Sequence, residues 1–163
     1  MKKLLLGLTM IMASQIAIAQ NSLPTTPIKD FNGTDINFNE TIESGKVTIV
    51  SFWANWCIPC KKEIRAITSK LPTWQEEADI NFMTISIDDS RSTARAKSYA
   101  ISQGWDFPRY LDANSDLKRA VNFQNVPYTI IIDKEGNIAH RSTGFEEGAE
   151  DELFKIAKEL SEK

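Results

Sequence analysis

The stretch Ser51-Phe52-Trp53-Ala54-Asn55-Trp56-Cys57-Ile58-Pro59-Cys60-Lys61-Lys62 holds both cysteines of the chain, two residues apart with a proline between them. It joins two kinds of sequence. Before it, Val47 to Trp53 (VTIVSFW) is a near-continuous run of β-branched, apolar and aromatic residues, the pattern of a strand covered on both faces. After it, Ile64, Ile67 and Leu71 recur at helical spacing, which predicts a helix from Ile58 to about Lys70, with Pro72 breaking or kinking the chain beyond it. The cysteines therefore stand where a buried strand hands over to a helix.

Two sulfurs so placed can staple the chain, bind a metal or do chemistry. A chain of 163 residues, 42% hydrophobic and 25% charged, has ordinary globular composition and enough length for a core, so it needs no cross-link to fold. A bridge across two intervening residues also removes little entropy from the unfolded chain. For a four-ligand metal site one cysteine pair is too few, and the sole histidine, His140, reads as a surface or hairpin residue on a late strand. No metal and no cofactor is expected.

The helix start favours the third reading. Unpaired N–H groups and the positive end of the helix dipole stabilise a thiolate at Cys57 relative to its thiol. Moving a thiol from about 8.5 to about 7 takes ~2 kcal/mol, whereas dipole effects supply ~0.3 to 1 kcal/mol, so a further contact must contribute. Cys60, inside the helix, is the more buried of the two. Cys57 is then the sulfur that attacks a disulfide and Cys60 the one that resolves the mixed disulfide. Pro59 suits an early helical position that has no use for its N–H.

The chain opens Met1-Lys2-Lys3, runs apolar from Leu4 to Ala19 and ends that run at Ala17-Ile18-Ala19, the pattern of a secretory leader cleaved after Ala19. The run is too short and too interrupted by Thr9, Ser14 and Gln15 to be a good membrane anchor, so no stable insertion is expected after cleavage. Loss of Lys2 and Lys3 with the leader takes the net charge from −3 to −5, which disfavours nucleic acid as a partner.

Residues 20–163 read as one domain. Asn32-Gly33 marks a type I′ hairpin near the start. Ile80 to Ile87 is a second central strand, and Asp88-Asp89-Ser90 offers caps for a peripheral helix ending at Gly104. Phe107 to Leu111 reads as a short strand, and Leu117, Ala120 and Val121 mark another helix. Tyr128 to Ile132 and Ile138 to Ser142 form a hairpin, and Leu153, Ile156, Ala157 and Leu160 mark a closing amphipathic helix. The order is that of an α/β domain with a mixed central sheet flanked by helices.

The run from Ser51 to Lys61 resembles the FWAxWCxPCK active-site segment of the thioredoxin superfamily. The leader and Lys62-Glu63 place it nearest the extracytoplasmic, TlpA-like thioredoxins. Asn125-Val126-Pro127-Tyr128-Thr129 is similar to that family's cis-proline segment, and the Ser90 to Gly104 region to that branch's inserted helix. The resemblance spans Ile28 to Lys163. It implies a thioredoxin fold with an N-terminal β-hairpin extension, a redox-active disulfide between Cys57 and Cys60, and a cis bond before Pro127. Client binding is implied at Trp56, Ile58, Pro59, Val126 and Pro127, while Trp53 packs the core.

Three departures bear on the mechanism. Family members often carry a buried acid just before the Phe-Trp, where this chain has Ser51, and others place a glutamate between the cysteines, where it has Ile58. Glu63 is a candidate proton acceptor for Cys60, but the plainer reading is a solvated residue. Arg65 stands near the place of a missing kink proline. The expected function is a periplasmic or otherwise extracytoplasmic reductase of protein disulfides, with disulfide-containing client proteins and a membrane-embedded electron donor as partners. A disulfide oxidase or isomerase of the same fold, a copper metallochaperone and a peroxidase are the alternatives. The last lacks the upstream threonine that peroxiredoxins carry. Potentials on this fold span roughly 150 mV, or ~7 kcal/mol, so direction rests on the absence of a histidine between the cysteines.

Overall fold

All seven residues from Val47 to Trp53 are buried, and the sheet is built around them. The computed structural model describes residues 23–163; the expected leader lies outside the described residues. In chain order the elements are β1 (Pro27–Asp30), β2 (Asp35–Asn37), a 3-10 helix (Phe38–Thr41), β3 (Val47–Trp53), α1 (Ile58–Glu77), β4 (Ile80–Ser86) and α2 (Thr93–Ser102). They continue with β5 (Arg109–Leu111), α3 (Asp116–Val121), β6 (Tyr128–Ile132), β7 (Ile138–Thr143) and α4 (Ala149–Ser161). The seven strands form one mixed sheet in the order β2-β1-β5-β4-β3-β6-β7. β3 is parallel to β4 and antiparallel to β6, and β7 is an edge.

Alternation along β3 divides the core. Val47, Ile49 and Trp53 face one way, into a cluster with Ile64 and Ile67 of α1, Ala96 and Ala100 of α2, and Leu153 and Ala157 of α4. Val50 and Phe52 face the other way, with Phe38, Leu117 and Val121. Strand hydrogen bonds in the middle of such a sheet leave no backbone group in need of water, and full burial of each large apolar side chain contributes ~1.5 to 3 kcal/mol. Trp53 is fully buried as expected and stacks its edge on Trp105, with ring centroids 5.0 Å apart.

Three local expectations are corrected. Helix α1 does not stop at Lys70: it runs through Pro72 to Glu77, because Leu71 and Trp74 on either side of the proline are buried against the core and hold the helical path. The first hairpin is not a type I′ turn, which needs positive φ at both central residues. Gly33 has φ +95°, Asn32 does not share it, and the loop is four residues long, ordered by the Asp30 carboxylate accepting from the N–H groups of Asn32 and Thr34. Helix α2 begins at Thr93 rather than at Asp88, whose side chain is used elsewhere. Gly104 does follow the helix with φ +66°, the left-handed stop that glycine permits.

Candidate active site

Strand β3 ends in a turn that delivers Cys57 to the start of α1. The N–H of Cys57 donates to the Ala54 carbonyl at 2.9 Å, and the N–H of Ile87 ties β4 to the Trp53 carbonyl at 2.8 Å. The N–H of Asn55 donates to a carboxylate oxygen of Asp88 at 2.7 Å. Asp88 is 1% exposed, and the Ser86 hydroxyl donates to the same oxygen at 2.8 Å. This residue, expected to cap a helix, instead anchors the cysteine turn from the end of the neighbouring strand. Its other oxygen is buried without a partner among the described residues.

Cys57 is the N-cap of α1, and its sulfur accepts the N–H of Cys60 at 3.2 Å. That N–H and the positive end of the helix dipole both face the Cys57 sulfur, an arrangement that favours negative charge there once the bond is reduced. Pro59 lies within the first turn, where its missing N–H costs nothing. Cys57 and Cys60 are joined by a disulfide with Cα atoms 5.3 Å apart. Cys57 is 4% exposed and Cys60 fully buried. Around them Trp56 and Ile58 are each 68% exposed, an unusual degree for residues so large and apolar, and Pro59 is also exposed.

The Val126–Pro127 bond is cis. Because Tyr128 pairs with Phe52, the register sets Pro127 at the end of the sheet from which β3 leads into the cysteine turn. Val126 is half-buried and packs against the cluster that contains both cysteines. The Pro127 carbonyl is taken by the N–H of Gly144, whereas no hydrogen bond among the described residues uses the backbone of Val126.

Glu63 is not the solvated residue favoured from sequence. It is 2% exposed, one turn past Cys60 on the buried face of α1. The Ser51 hydroxyl donates to one of its carboxylate oxygens at 2.8 Å and the Thr129 hydroxyl to the other at 3.0 Å. Burial pushes its pKa up to about 7, against the pull of those two hydrogen bonds. The apolar stripe carried the clue: Cys60, Ile64 and Ile67 define a face on which position 63 also falls. Cross-strand pairing aligns Thr84, Ser51, Thr129 and Ser142 in a row of hydroxyl residues across four strands. The row leads to a cleft of about 480 Å³ between β7 and α4, lined among others by Glu63, His140, Ser142, Phe145 and Leu153. His140 thus shares this cleft with the buried acid, and neither cysteine lines it. Among the described residues no group of three or more His, Cys, Asp or Glu residues is placed to hold a metal ion.

Residues 19–141 match the family model of the AhpC/TSA family. The chain belongs to that family. A thioredoxin-like protein of Porphyromonas gingivalis, known from a solution structure, is 35% identical, covers 88% of this chain and 94% of its own, and superposes with a TM-score of 0.77. The thiol-disulfide oxidoreductase ResA of Bacillus subtilis is 26% identical over 82% of this chain and 73% of its own. The sporulation thiol-disulfide oxidoreductase A of the same organism is 25% identical over 78% of each. The expected thioredoxin-like fold is the fold found. With this family and a Cys-x-x-Cys disulfide at a helix N-terminus, the chain has the equipment of a thiol-disulfide oxidoreductase. Among the described residues no helix is long and apolar enough to cross a membrane.

Proposed function

We propose that the protein reduces disulfides in client proteins outside the cytoplasm, cycling Cys57 and Cys60 between dithiol and disulfide. The observation that carries this reading is the N-cap position of Cys57, where its sulfur accepts the Cys60 N–H while Trp56 and Ile58 lie exposed on either side.

Starting from the reduced protein, the Cys57 thiolate attacks one sulfur of a client disulfide. A new S–S bond joins Cys57 to the client, the client's own S–S bond breaks, and its departing sulfur takes up a proton. Cys60 then gives its proton to the Glu63 carboxylate and attacks the Cys57 sulfur. The mixed disulfide breaks, the second client sulfur leaves and is protonated, and the Cys57–Cys60 disulfide forms. Two electrons have passed to the client. Glu63 supplies the base that this chain lacks on β3 and between its cysteines, and a pKa of about 7 suits a group that must take and release a proton near neutrality.

Trp56, Ile58 and Pro59 form the apolar rim on which the client rests. Val126, its backbone unused, pairs with an extended client segment as an added strand, and Pro127 shapes the wall beside it. The direction, reduction, rests on Cys-Ile-Pro-Cys having no histidine between the sulfurs. Cleavage after Ala19 releases residues 20–163 as a single domain, and electrons return to it from a membrane-embedded carrier of reducing equivalents. Insulin with dithiothreitol tests the activity: catalysed precipitation of the B chain is expected, and a rate equal to the uncatalysed one overturns the proposal.

A further inference from the structure

Among the described residues some cations are held in ion pairs, whereas Lys97, Arg109, Lys118, Lys134, Arg141 and Lys163, like four cations near the cysteines, are not. Lys29, Lys46, Lys70, Arg91, Arg119, Lys155 and Lys158 each pair with a carboxylate. Lys61, Lys62 and Arg65, in the first two turns of α1, and Arg95 on α2 form no ion pair among the described residues. From Ile58 to Lys70 the one acid is Glu63, which is buried, and α2 contains none. The Lys61 ammonium sits 4.0 Å from the centre of the Tyr99 ring, which joins the two helices, and Arg95 lies one turn before Tyr99 on the same face of α2. Lys62, Arg65 and Arg95 are exposed.

Acids gather farther along α1. There Lys70, roughly 14 Å along the helix axis from Lys61, meets Glu150 and Asp151, with Glu146, Glu147 and Glu152 close by in sequence. A chain of net charge −3 thus presents its reactive sulfur beside cations that have no carboxylate partner among the described residues, and Asp88 and Glu63, the acids next to the cysteine turn, are buried.

From this we infer that the rim formed by Lys61, Lys62, Arg65 and Arg95 selects clients whose disulfide is flanked by acidic residues. The inference rests on the reductase reading above and names the class of segment that the site takes. A peptide held at Cys57 between Trp56 and Ile58 passes along α1 and α2, where its carboxylates meet cations that have no carboxylate partner among the described residues. Rim charges of this kind raise association rates more than they deepen affinity, and salt screens them, with a Debye length of about 30 Å at 0.01 M and 3 Å at 1 M. An anionic membrane offers the same charge, but a bilayer resting on Trp56 and Ile58 would cover the sulfur that a client must reach.

The experiment mixes pre-reduced protein with oxidised peptides that share one disulfide loop and differ only in flanking residues, glutamate in one and lysine in the other. Tryptophan fluorescence follows the single turnover, so no electron donor is needed. At 10 mM salt the glutamate peptide is expected to react about tenfold faster than the lysine peptide, with the ratio falling toward one at 0.5 M. In the protein carrying Lys62→Glu and Arg95→Glu the ratio inverts. Equal rates at every salt concentration, or faster reaction of the lysine peptide, overturn the inference and leave the reductase reading standing. No reaction with either peptide defeats the reductase reading itself. Sedimentation with phosphatidylglycerol vesicles together with equal peptide rates assigns the rim to a membrane surface and overturns the inference as well.

Discussion

The Ser51 hydroxyl donates a 2.8 Å hydrogen bond to the Glu63 carboxylate, joining the middle of β3 to the inner face of α1. The strand supplies the hydroxyl and the helix supplies the acid. Thr129, paired with Ser51 across β3 and β6, holds the second oxygen.

This arrangement makes stability depend on pH in a direction opposite to the usual acid. In the folded protein the Glu63 pKa is about 7, against 4.5 for an ordinary glutamate. Below about 4.5 both folded and unfolded chains hold the proton, and the full contribution is present. Between 4.5 and 7 the unfolded chain has lost it while the folded one keeps it, so stability falls as pH rises, by about 3 kcal/mol in all. Glu63→Gln is expected to remove this slope and to be more stable than the parent at pH 8, with the difference shrinking toward pH 4. Urea denaturation of the oxidised proteins across that range checks it, and parallel slopes for the two would count against a raised pKa.

The same substitution separates the two chemical steps. Attack by Cys57 precedes any use of Glu63, whereas attack by Cys60 needs a proton acceptor. Glu63→Gln is expected to leave formation of the mixed disulfide intact and to slow its resolution at least tenfold, with loss of the rise in rate near pH 7. Rapid acid quenching and mass measurement of the adduct follow both steps. Equal resolution rates would assign the proton to solvent.

Substituting each sulfur tests the division of labour. Cys60→Ser is expected to accumulate a covalent adduct between Cys57 and a disulfide-containing client, and Cys57→Ser to form none and reduce nothing. Non-reducing electrophoresis decides between them. An adduct seen with Cys57→Ser alone would reverse the roles.

Asp88 anchors the cysteine turn through the Asn55 N–H, so its loss leaves a half-buried donor without its acceptor. Asp88→Ala is expected to cost about 1 to 3 kcal/mol, and Asp88→Asn, which retains a carbonyl oxygen, less. Denaturant unfolding of the two variants gives the comparison; equal losses would show that packing, not the hydrogen bond, is what Asp88 provides.

Most of the fold is legible in the sequence because its signals are local. VTIVSFW announces a strand buried on both faces, and Gly104 marks the end of α2, where it takes up φ +66°. Sequence and structure part where tertiary contacts decide. Pro72 breaks a helix in isolation, but not one held to the core by Leu71 and Trp74. Asp88 looks like a cap because capping is its local preference, and the backbone N–H that claims it lies 33 residues earlier in the chain. Glu63 departs from its local signal for a similar reason. Charge argues for the surface, and only the two hydroxyls brought up by β3 and β6 make its burial tolerable.

The central claim is that Cys57 and Cys60 form a working redox couple rather than a fixed cross-link. Equilibration of the protein in glutathione or dithiothreitol buffers of graded potential, followed by alkylation and mass measurement, tests it directly. A reversible two-electron transition is expected, nearer the potential of reducing members of the fold, about −270 mV, than that of oxidising ones, about −120 mV. A disulfide that stays closed in excess dithiothreitol would contradict it.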